Sequence, residues 1–347
     1  MKGRMKAAVL HSALDMRIEE VAVPEIGRED VLVNIKAVGI CGSDAHYYLH
    51  GKAASFVVTE PLILGHECTG DVTKVGQGVK RIKVGQRVVI EPGFPCRKCR
   101  FCAEGRYNLC MDVKFYGTPP DNGAFAEYAL ASAENVYPMP DDMSYEEGAM
   151  IEPLAVGMMA AKRAGASVYD NVAVLGSGPI GLMCLQAARA HGALNLYATD
   201  MVDYRLEYAK KLGANAVINP EKENAVERVM ELTNNEGVDV VVEAAGSVSA
   251  LKQAFEIARS GGRIVLVGIY PTMEFQVPLG YALTKELDVR GVWRYGNVFP
   301  AAIKCVSEGK VDVKSMVTHR FSLDRILEGF ETQVKKIGNP IKIQILI

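Results

Sequence analysis

The hydrophobic pattern changes character partway along the chain. Up to about residue 150, short β-branched segments recur: MKAAVLH, MRIEEVAV, VLVNIKAVGI, CTGDVTKVG and QRVVI, separated by Gly, Pro and Asp. Runs of this kind bounded by turn residues predict short strands, and several in succession predict a β-barrel-like domain. The paired glycines in VGQGVKRIKVGQRV read as hairpin turns. From Asn171 the pattern lengthens. VAVL (172–175) suits a strand buried on both faces, the helical stretch IGLMCLQAARAHGA follows, and NLYAT (195–199) is a second strand. Helix YRLEYAKKLGA, strand AVIN, helix AVERVMELTN, strand VDVVVEAAG, helix SALKQAFEIARS, strand GRIVLVG and a sixth strand in LDVRGV continue the alternation. Six strands alternating with helices predict a doubly wound parallel sheet, hence an α/β fold.

Composition narrows the function classes. A chain of 347 residues exceeds a single typical core, so two domains are expected. Hydrophobic residues at 49% and charged residues at 23% match soluble globular proteins, and no apolar run reaches membrane-spanning length. A net charge of −2 without a basic block argues against a nucleic-acid partner. The opening MKGRMKAAVLHSALD has too short an apolar run for a secretory signal, and eight cysteines are too few for a disulfide scaffold. A reducing, cytoplasmic setting is the expectation.

The first chemical signal lies between strand 172–175 and its helix. Gly176-Ser177-Gly178-Pro179-Ile180-Gly181 is a G-x-G-x-x-G, and Asp200 ends the next strand 19 residues after Gly181. Strand, glycine turn, helix and distant acid together form a dinucleotide-binding, Rossmann pattern. Gly176 permits the tight turn, Gly178 lets backbone approach a pyrophosphate, and Gly181 lets helix pack on strand. The helix N-terminus offers free N–H groups to the phosphates. Asp200 suits the adenosine ribose hydroxyls and repels a 2′-phosphate, which favours NAD. Arg205 is the feature through which NADP stays open. Ala244, Ala245, Gly246 and Gly268 fall at carboxyl ends of later strands and are small enough for a nicotinamide ribose, or simply for tight turns.

The second signal is four cysteines in fifteen residues: Cys96, Cys99, Cys102 and Cys110, spaced C-x2-C-x2-C-x7-C. Four thiolates on one loop close a tetrahedral zinc site with no position left for water, so the site is structural. Disulfides and an iron–sulfur cluster are the alternatives, and the intervening Arg97, Lys98 and Arg100 do not choose between metals. A catalytic metal must then lie elsewhere. Cys41 follows VLVNIKAVGI, and His66 and Glu67 follow Gly65 in LILGHECTG. Together they would give zinc three ligands and one open position. Cys68 is a rival ligand to Cys41, or a small buried hydrophobe.

These residues carry a resemblance. GICGSDAHYY (39–48), PLILGHECTG (61–70), the four-Cys loop, IEPLAVGMMA (151–160) and VLGSGPIGL (174–182) resemble the zinc-dependent medium-chain dehydrogenase family from end to end. Within that family GHE, EEGAMIEPLAVG and the pair Arg294-Tyr295 are most similar to its sorbitol (L-iditol) and xylitol dehydrogenase branch. The resemblance implies a GroES-like catalytic domain beside the Rossmann domain, catalytic and structural Zn2+, NAD, and oxidation of a sugar alcohol to a ketose. It implies that Cys41, His66 and Glu67 hold the catalytic zinc, with Glu152 behind them reaching the metal through water or directly. Ser43 and His46 match a proton relay, and Tyr47, Phe115, Thr118, Arg294 and Tyr295 match positions lining a polyol pocket. Arg294 could instead serve packing, and Lys52 with Arg294 would suit a phosphorylated alditol. Threonine, butanediol and glucose dehydrogenases share the scaffold, and a non-catalytic dinucleotide-binding protein is the reading from another class. The expected division is 1–153 with 293–347 for the catalytic domain and 154–292 for the cofactor domain. The resemblance also implies a homotetramer.

Overall fold

The computed structural model describes residues 3–270 and 272–347. They form two compact units. One holds the chain up to Glu152 with Phe299–Ser307 and Val313–Ile347; the other holds Pro153–Val298 and Glu308–Asp312. Residues 293–298, expected beyond the second crossing, belong to the cofactor unit. The chain rejoins the first unit at Phe299, which is fully buried there with its ring stacked on Tyr137 at 5.5 Å. The short return at 308–312 belongs to the second unit. Asp312 N–H donates to Gln186 Oε1 at 2.7 Å, and Gln186 Nε2 donates back to the Asp312 carbonyl at 3.1 Å.

The first unit is built on a mixed sheet. Its strands run in the order Val136–Pro138, Arg87–Ile90, Glu67–Val75, Asp30–Gly39, Lys342–Leu346 and Val317–Ser322, with Tyr128–Ser132 also pairing on Asp30–Gly39. Asp15–Ala22, Arg4–Ser12 and Leu62–Ile63 form a smaller antiparallel sheet. Val33, Ile35, Phe125, Phe330, Ile343 and Ile345 are fully buried in one core. The rings of Phe125 and Phe330 meet edge to face at 5.9 Å, an arrangement worth about 1 kcal/mol beyond burial. Two of these strands come from the end of the chain, where the sequence pattern gave no strand. The segment read as paired hairpin turns is instead one irregular connection, residues 76–86, between Glu67–Val75 and Arg87–Ile90. Of its glycines only Gly85 has a positive φ; Gly76 and Gly78 sit against Gly27, Arg28 and Glu29 where a Cβ has no room.

The second unit holds six parallel strands, in the order Ala216–Ile218, Asn195–Thr199, Asn171–Leu175, Val238–Glu243, Ala258–Leu266 and Asp288–Gly291. Strand order reverses between Asn171–Leu175 and Val238–Glu243, and in such sheets ligands bind beyond the carboxyl ends at that point. One boundary differs from expectation. Ala258, read as the last turn of a helix, is extended (φ −65, ψ 130) and pairs with Val238, so the fifth strand starts there. Local helical periodicity yields to the sheet register.

Candidate active site

Sheet register assembles the first cluster. Gly39 lies opposite Glu67 in the ladder between their strands, so the chain ends that follow and precede those strands meet. Cys41 caps helix Gly42–His50, and His66 directly precedes Glu67. One ligand atom from each of Cys41, His66 and Glu67 lies within 4.8 Å of the others. His66 and Glu67 are buried and Cys41 is half-buried. A thiol, an imidazole and a carboxylate converging in this way fit a zinc ion and leave its fourth position open. Cys68 points elsewhere: it pairs with Val38 in the ladder and lies in the core, where burial pushes its thiol pKa up.

Two residues that the sequence reading missed support this cluster. Asp44 is fully buried. Its Oδ2 accepts from Cys41 N–H at 2.9 Å, and its Oδ1 accepts from Gly65 N–H at 3.3 Å and stands 3.6 Å from His66 Nδ1. It thus holds Cys41 and fixes the ring of His66 from behind, as carboxylates do for metal-ligating histidines. Burial pushes the Asp44 carboxyl up, against the pull of His66. Burial likewise opposes a charge on His66, yet Asp44 and Cys41 outweigh it and hold the imidazole well above its ordinary value. A sequence signal existed for Asp44, since C-x-x-D at a helix start has capping-box spacing. The other residue is Lys342, buried and ion-paired with Glu67 from 275 positions away. No local pattern could find it.

Ser43, His46 and Tyr47 share the helix with Asp44, and spacing of three and four puts them on one face. Tyr47 is buried, Ser43 half-buried and His46 exposed, with its ring 6.0 Å from that of His50. Phe115 is buried with its ring 5.5 Å from that of His66, an apolar wall beside the cluster. Thr118 N–H donates to the Phe115 carbonyl at 3.1 Å, so both belong to one tight turn. Glu152 is buried in the first turn of helix Ile151–Ala164, and its charge is felt at both His66 and Lys342. Lys52 is exposed.

The four cysteines also converge, with their sulfurs within 4.8 Å of one another. Cys96 N–H and Cys99 N–H donate to Cys110 Sγ and Cys96 Sγ, each at 3.3 Å. The Lys98 backbone N–H leads in bringing the Cys96 thiol down to about 7. Burial pushes the Cys102 thiol up to about 12 and raises that of Cys110, so of these three only Cys96 is eased toward thiolate by its neighbours. A sulfur-only set of four converging ligands fits a closed structural zinc site. None of the eight cysteines is in a disulfide. The loop is moored by Glu91, buried, which accepts from the hydroxyls of Tyr107 and Tyr137 at 2.8 Å each.

In the second unit the glycine turn has the shape a dinucleotide needs. Gly176 takes φ +93, and a methyl on Gly181 would stand 1.8 Å from the Gly176 carbonyl oxygen. Gly178 caps helix Pro179–Ala190, and a Cβ there would meet nothing within 4 Å, so the helix N-terminus is open to an anion. Pro179 fills the first helical position and Ile180 is half-buried. Asp200 Oδ2 accepts from Ser177 N–H at 2.8 Å and lies 3.5 Å from Arg205 Nη1, while Oδ1 accepts from Val202 N–H at 2.9 Å. The acid is therefore tied to the phosphate turn itself. Arg294 and Tyr295 belong to this unit. Tyr295 is buried; Arg294 is half-buried with φ +54, a left-handed conformation costing a non-glycine residue about 1–2 kcal/mol, and its guanidinium lies 5.3 Å from the Trp293 ring. Among the described residues no helix is long and apolar enough to cross a membrane.

Comparison with known proteins identifies the family. The alcohol dehydrogenase GroES-like domain matches residues 27–141, and the zinc-binding dehydrogenase domain matches residues 179–308. Sorbitol dehydrogenase of Bacillus subtilis (strain 168) is 42% identical over 341 residues, 98% of this chain and 97% of the relative. An oxidoreductase of unknown specificity from Escherichia coli superposes with a TM-score of 0.96 at 38% identity, covering 99% of both chains. 2R,3R-butanediol dehydrogenase from Bacillus subtilis superposes with a TM-score of 0.91 at 35% identity, again over 99% of both. A GroES-like unit with two metal-ligand clusters and a Rossmann unit with its glycine turn thus make this chain a member of the zinc-dependent medium-chain dehydrogenases, an oxidoreductase acting on alcohols with zinc and NAD(P).

Proposed function

We propose that the protein is an NAD-dependent polyol dehydrogenase that oxidises a secondary hydroxyl of an alditol to the ketose. The observation that carries this reading is the convergence of Cys41, His66 and Glu67 in a chain so similar to a sorbitol dehydrogenase. In this reading Cys41, His66 and Glu67 hold the catalytic zinc, Glu152 stands behind them, and the four cysteines hold the structural one. When bound, the zinc supplies Lewis acidity toward the substrate hydroxyl and the nicotinamide accepts a hydride. The chain's own residues do the rest. Ser43 accepts the alcohol proton and passes it toward His46, whose exposed ring returns it to solvent. Asp44 keeps His66 in one orientation. Phe115 excludes water beside the cluster. Tyr47, Thr118, Arg294 and Tyr295 hold the hydroxyls remote from the reacting carbon, where a missing hydroxyl leaves a buried donor unpaired. Asp200 selects NAD by accepting from the ribose hydroxyls.

The assembly is a homotetramer in this reading. The edge strand Asp288–Gly291 supports self-association, because Val289 on it and the nearby Leu283 and Trp293 are exposed, and an unpaired strand edge favours pairing with a second copy. Eight cysteines outside any disulfide, five of them in the two metal-ligand clusters, support a reducing cytoplasmic setting.

The test is initial-rate NAD reduction with sorbitol, xylitol, galactitol, threonine and butanediol, with and without a zinc chelator. Chelator-sensitive turnover of an alditol is the expected result. Preferred turnover of threonine or butanediol would overturn the polyol assignment, and butanediol is the second reading because of the solved relative of that activity. No turnover of any of them, with zinc bound and NAD binding tightly, would favour a non-catalytic role.

A further inference from the structure

We infer that Glu243 is a positioning residue for the nicotinamide half of the dinucleotide: its carboxylate fastens together the two loops that leave the sheet beside the point where strand order reverses. The inference rests on the dinucleotide site described above. Glu243 ends the strand Val238–Glu243 and is fully buried. Its Oε1 accepts from Ala245 N–H at 3.0 Å and from Ser247 N–H at 3.4 Å. Its Oε2 accepts from the Tyr270 hydroxyl at 2.6 Å, and its backbone carbonyl accepts from Val267 and Gly268 N–H at 2.9 Å each. One residue thus gathers donors from loop 244–247 and from the loop after Ala258–Leu266.

Close backbone approaches carry that fastening to the phosphate turn. A methyl on Gly268 would meet Gly246 N at 2.2 Å and Glu243 Oε2 at 2.7 Å. Gly246 takes φ +65, and a methyl on it would meet the Ile269 carbonyl oxygen at 2.3 Å. A methyl on Gly176 would meet Ala245 N and Cα at 2.8 Å. The ends of three adjacent strands are therefore in contact from Gly176 through Ala245 and Gly246 to Gly268. Asp200, which in the proposed reading accepts from the adenosine ribose, lies on one side of Gly176, after Asn195–Thr199. The loops that Glu243 fastens lie on the other side, which leaves them the nicotinamide half. Burial pushes the Glu243 carboxyl up while the Tyr270 hydroxyl pulls it down, so this acid is retained in the interior only by the donors it organises. No step of the alcohol chemistry uses it.

The experiment measures equilibrium affinity for NAD and for AMP, which carries only the adenine half, by calorimetry on the zinc-loaded protein. Glu243→Leu is of similar size and removes both carboxylate acceptors while leaving the backbone carbonyl in place. It is expected to weaken NAD about ten-fold or more and to leave AMP within about two-fold. Glu243→Gln is expected to recover most of the NAD affinity, because its Oε1 can take the two backbone donors and the Tyr270 hydroxyl can accept from its Nε2. Tyr270→Phe removes one donor and is expected to weaken NAD by about three-fold with AMP unchanged, which decides the matter should Glu243→Leu not fold. Equal losses for NAD and AMP would overturn the inference, because Glu243 would then support the whole unit. Unchanged NAD affinity in Glu243→Leu or Tyr270→Phe would also overturn it. Native protein that bound neither AMP nor NAD would remove the dinucleotide reading, and the inference with it.

Discussion

Lys342 donates to the carboxylate of Glu67 inside the first unit, and the two side chains are among the most deeply buried charges of the molecule, 3% and 1% exposed. Burial opposes the ammonium charge, yet Glu67 and Cys41 outweigh it and hold the Lys342 pKa above its ordinary value. Removing one partner of a buried pair costs about 3–5 kcal/mol, because the other charge is left uncompensated. In Lys342→Met a bound cation or a proton must neutralise Glu67, and zinc is the cation its neighbours can hold. Zinc should therefore stabilise the variant more than the native protein. The apparent Tm gap between zinc-loaded and chelated protein is expected to widen by several degrees, at about 2–4 °C per kcal/mol for a unit of this size. An unchanged gap in thermal melts would show that Lys342 does not share Glu67 with the metal.

The pair exists because Gly39 has no side chain. Gly39 lies on the strand between those of Glu67 and Lys342, and a Cβ there would stand 1.9 Å from Glu67 Oε2 and 2.9 Å from Lys342 Cε. Gly39→Ala should displace the carboxylate and lose the catalytic zinc while the four-Cys zinc stays. Metal analysis after gel filtration checks this: zinc per chain should fall by about half, given one ion in each of two sites. Full zinc occupancy in the variant would mean that Glu67 can move without losing its ligand role.

Asp44→Asn tests the support behind His66. The amide oxygen can still accept from Cys41 N–H, but the charge facing His66 Nδ1 is gone. Loss of such an outer partner lowers metal affinity about 10–100-fold. Competition with a fluorescent zinc chelator measures it, and affinity within two-fold of native, on the order of the scatter expected for a neutral surface change, would remove Asp44 from the site.

What the sequence made legible and what it hid follow one rule. Gly176 to Gly181 and Cys96 to Cys110 are local patterns whose spacing encodes their chemistry, and both fold as read. The parallel sheet was legible because strands buried on both faces are continuously apolar, as in VAVL at 172–175. Cys41, His66 and Glu67 could be put forward as a ligand set from residue chemistry alone, but a lone Cys and a His-Glu pair say little by themselves, and it was the resemblance that assigned them the role. Lys342 was invisible because its meaning arises only when the last strand pairs with Asp30–Gly39. The same holds for Glu243, which reads as one more polar residue at the end of an apolar run until Tyr270 and loop 244–247 close on it.

In the proposed reading Asp200 and Arg205 set the choice between NAD and NADP. With the aspartate present, Arg205 Nη1 stands 3.5 Å from its carboxylate and is engaged. Asp200→Ala releases that guanidinium for a 2′-phosphate and removes the repulsion. The ratio of kcat/KM for NAD over NADP should fall by about ten-fold or more, equivalent to roughly 1.4 kcal/mol. Both activities should also drop, because Ser177 N–H loses its acceptor at the phosphate turn. A ratio that stayed fixed would assign cofactor choice to other residues.

Zinc removal separates the two metal clusters. The Cys41–His66–Glu67 set includes a carboxylate, which is harder and more exchangeable than thiolate, and it leaves a position open to a competing ligand. The four-Cys set is closed, and its loop is held twice over: Tyr107 reaches Glu91 at 2.8 Å, and Arg97 lies 5.3 Å from the Tyr107 ring while reaching Asn135 Oδ1 at 3.0 Å. A chelator should therefore take the catalytic zinc first, with activity falling in step and the fold intact. The second zinc should leave later, accompanied by a loss of thermal stability rather than a further loss of turnover. Metal analysis and activity followed on the same time course decide the order. Simultaneous departure of both ions would mean that Glu67 confers no lability, and that the ion pair with Lys342 does not weaken its hold on the metal.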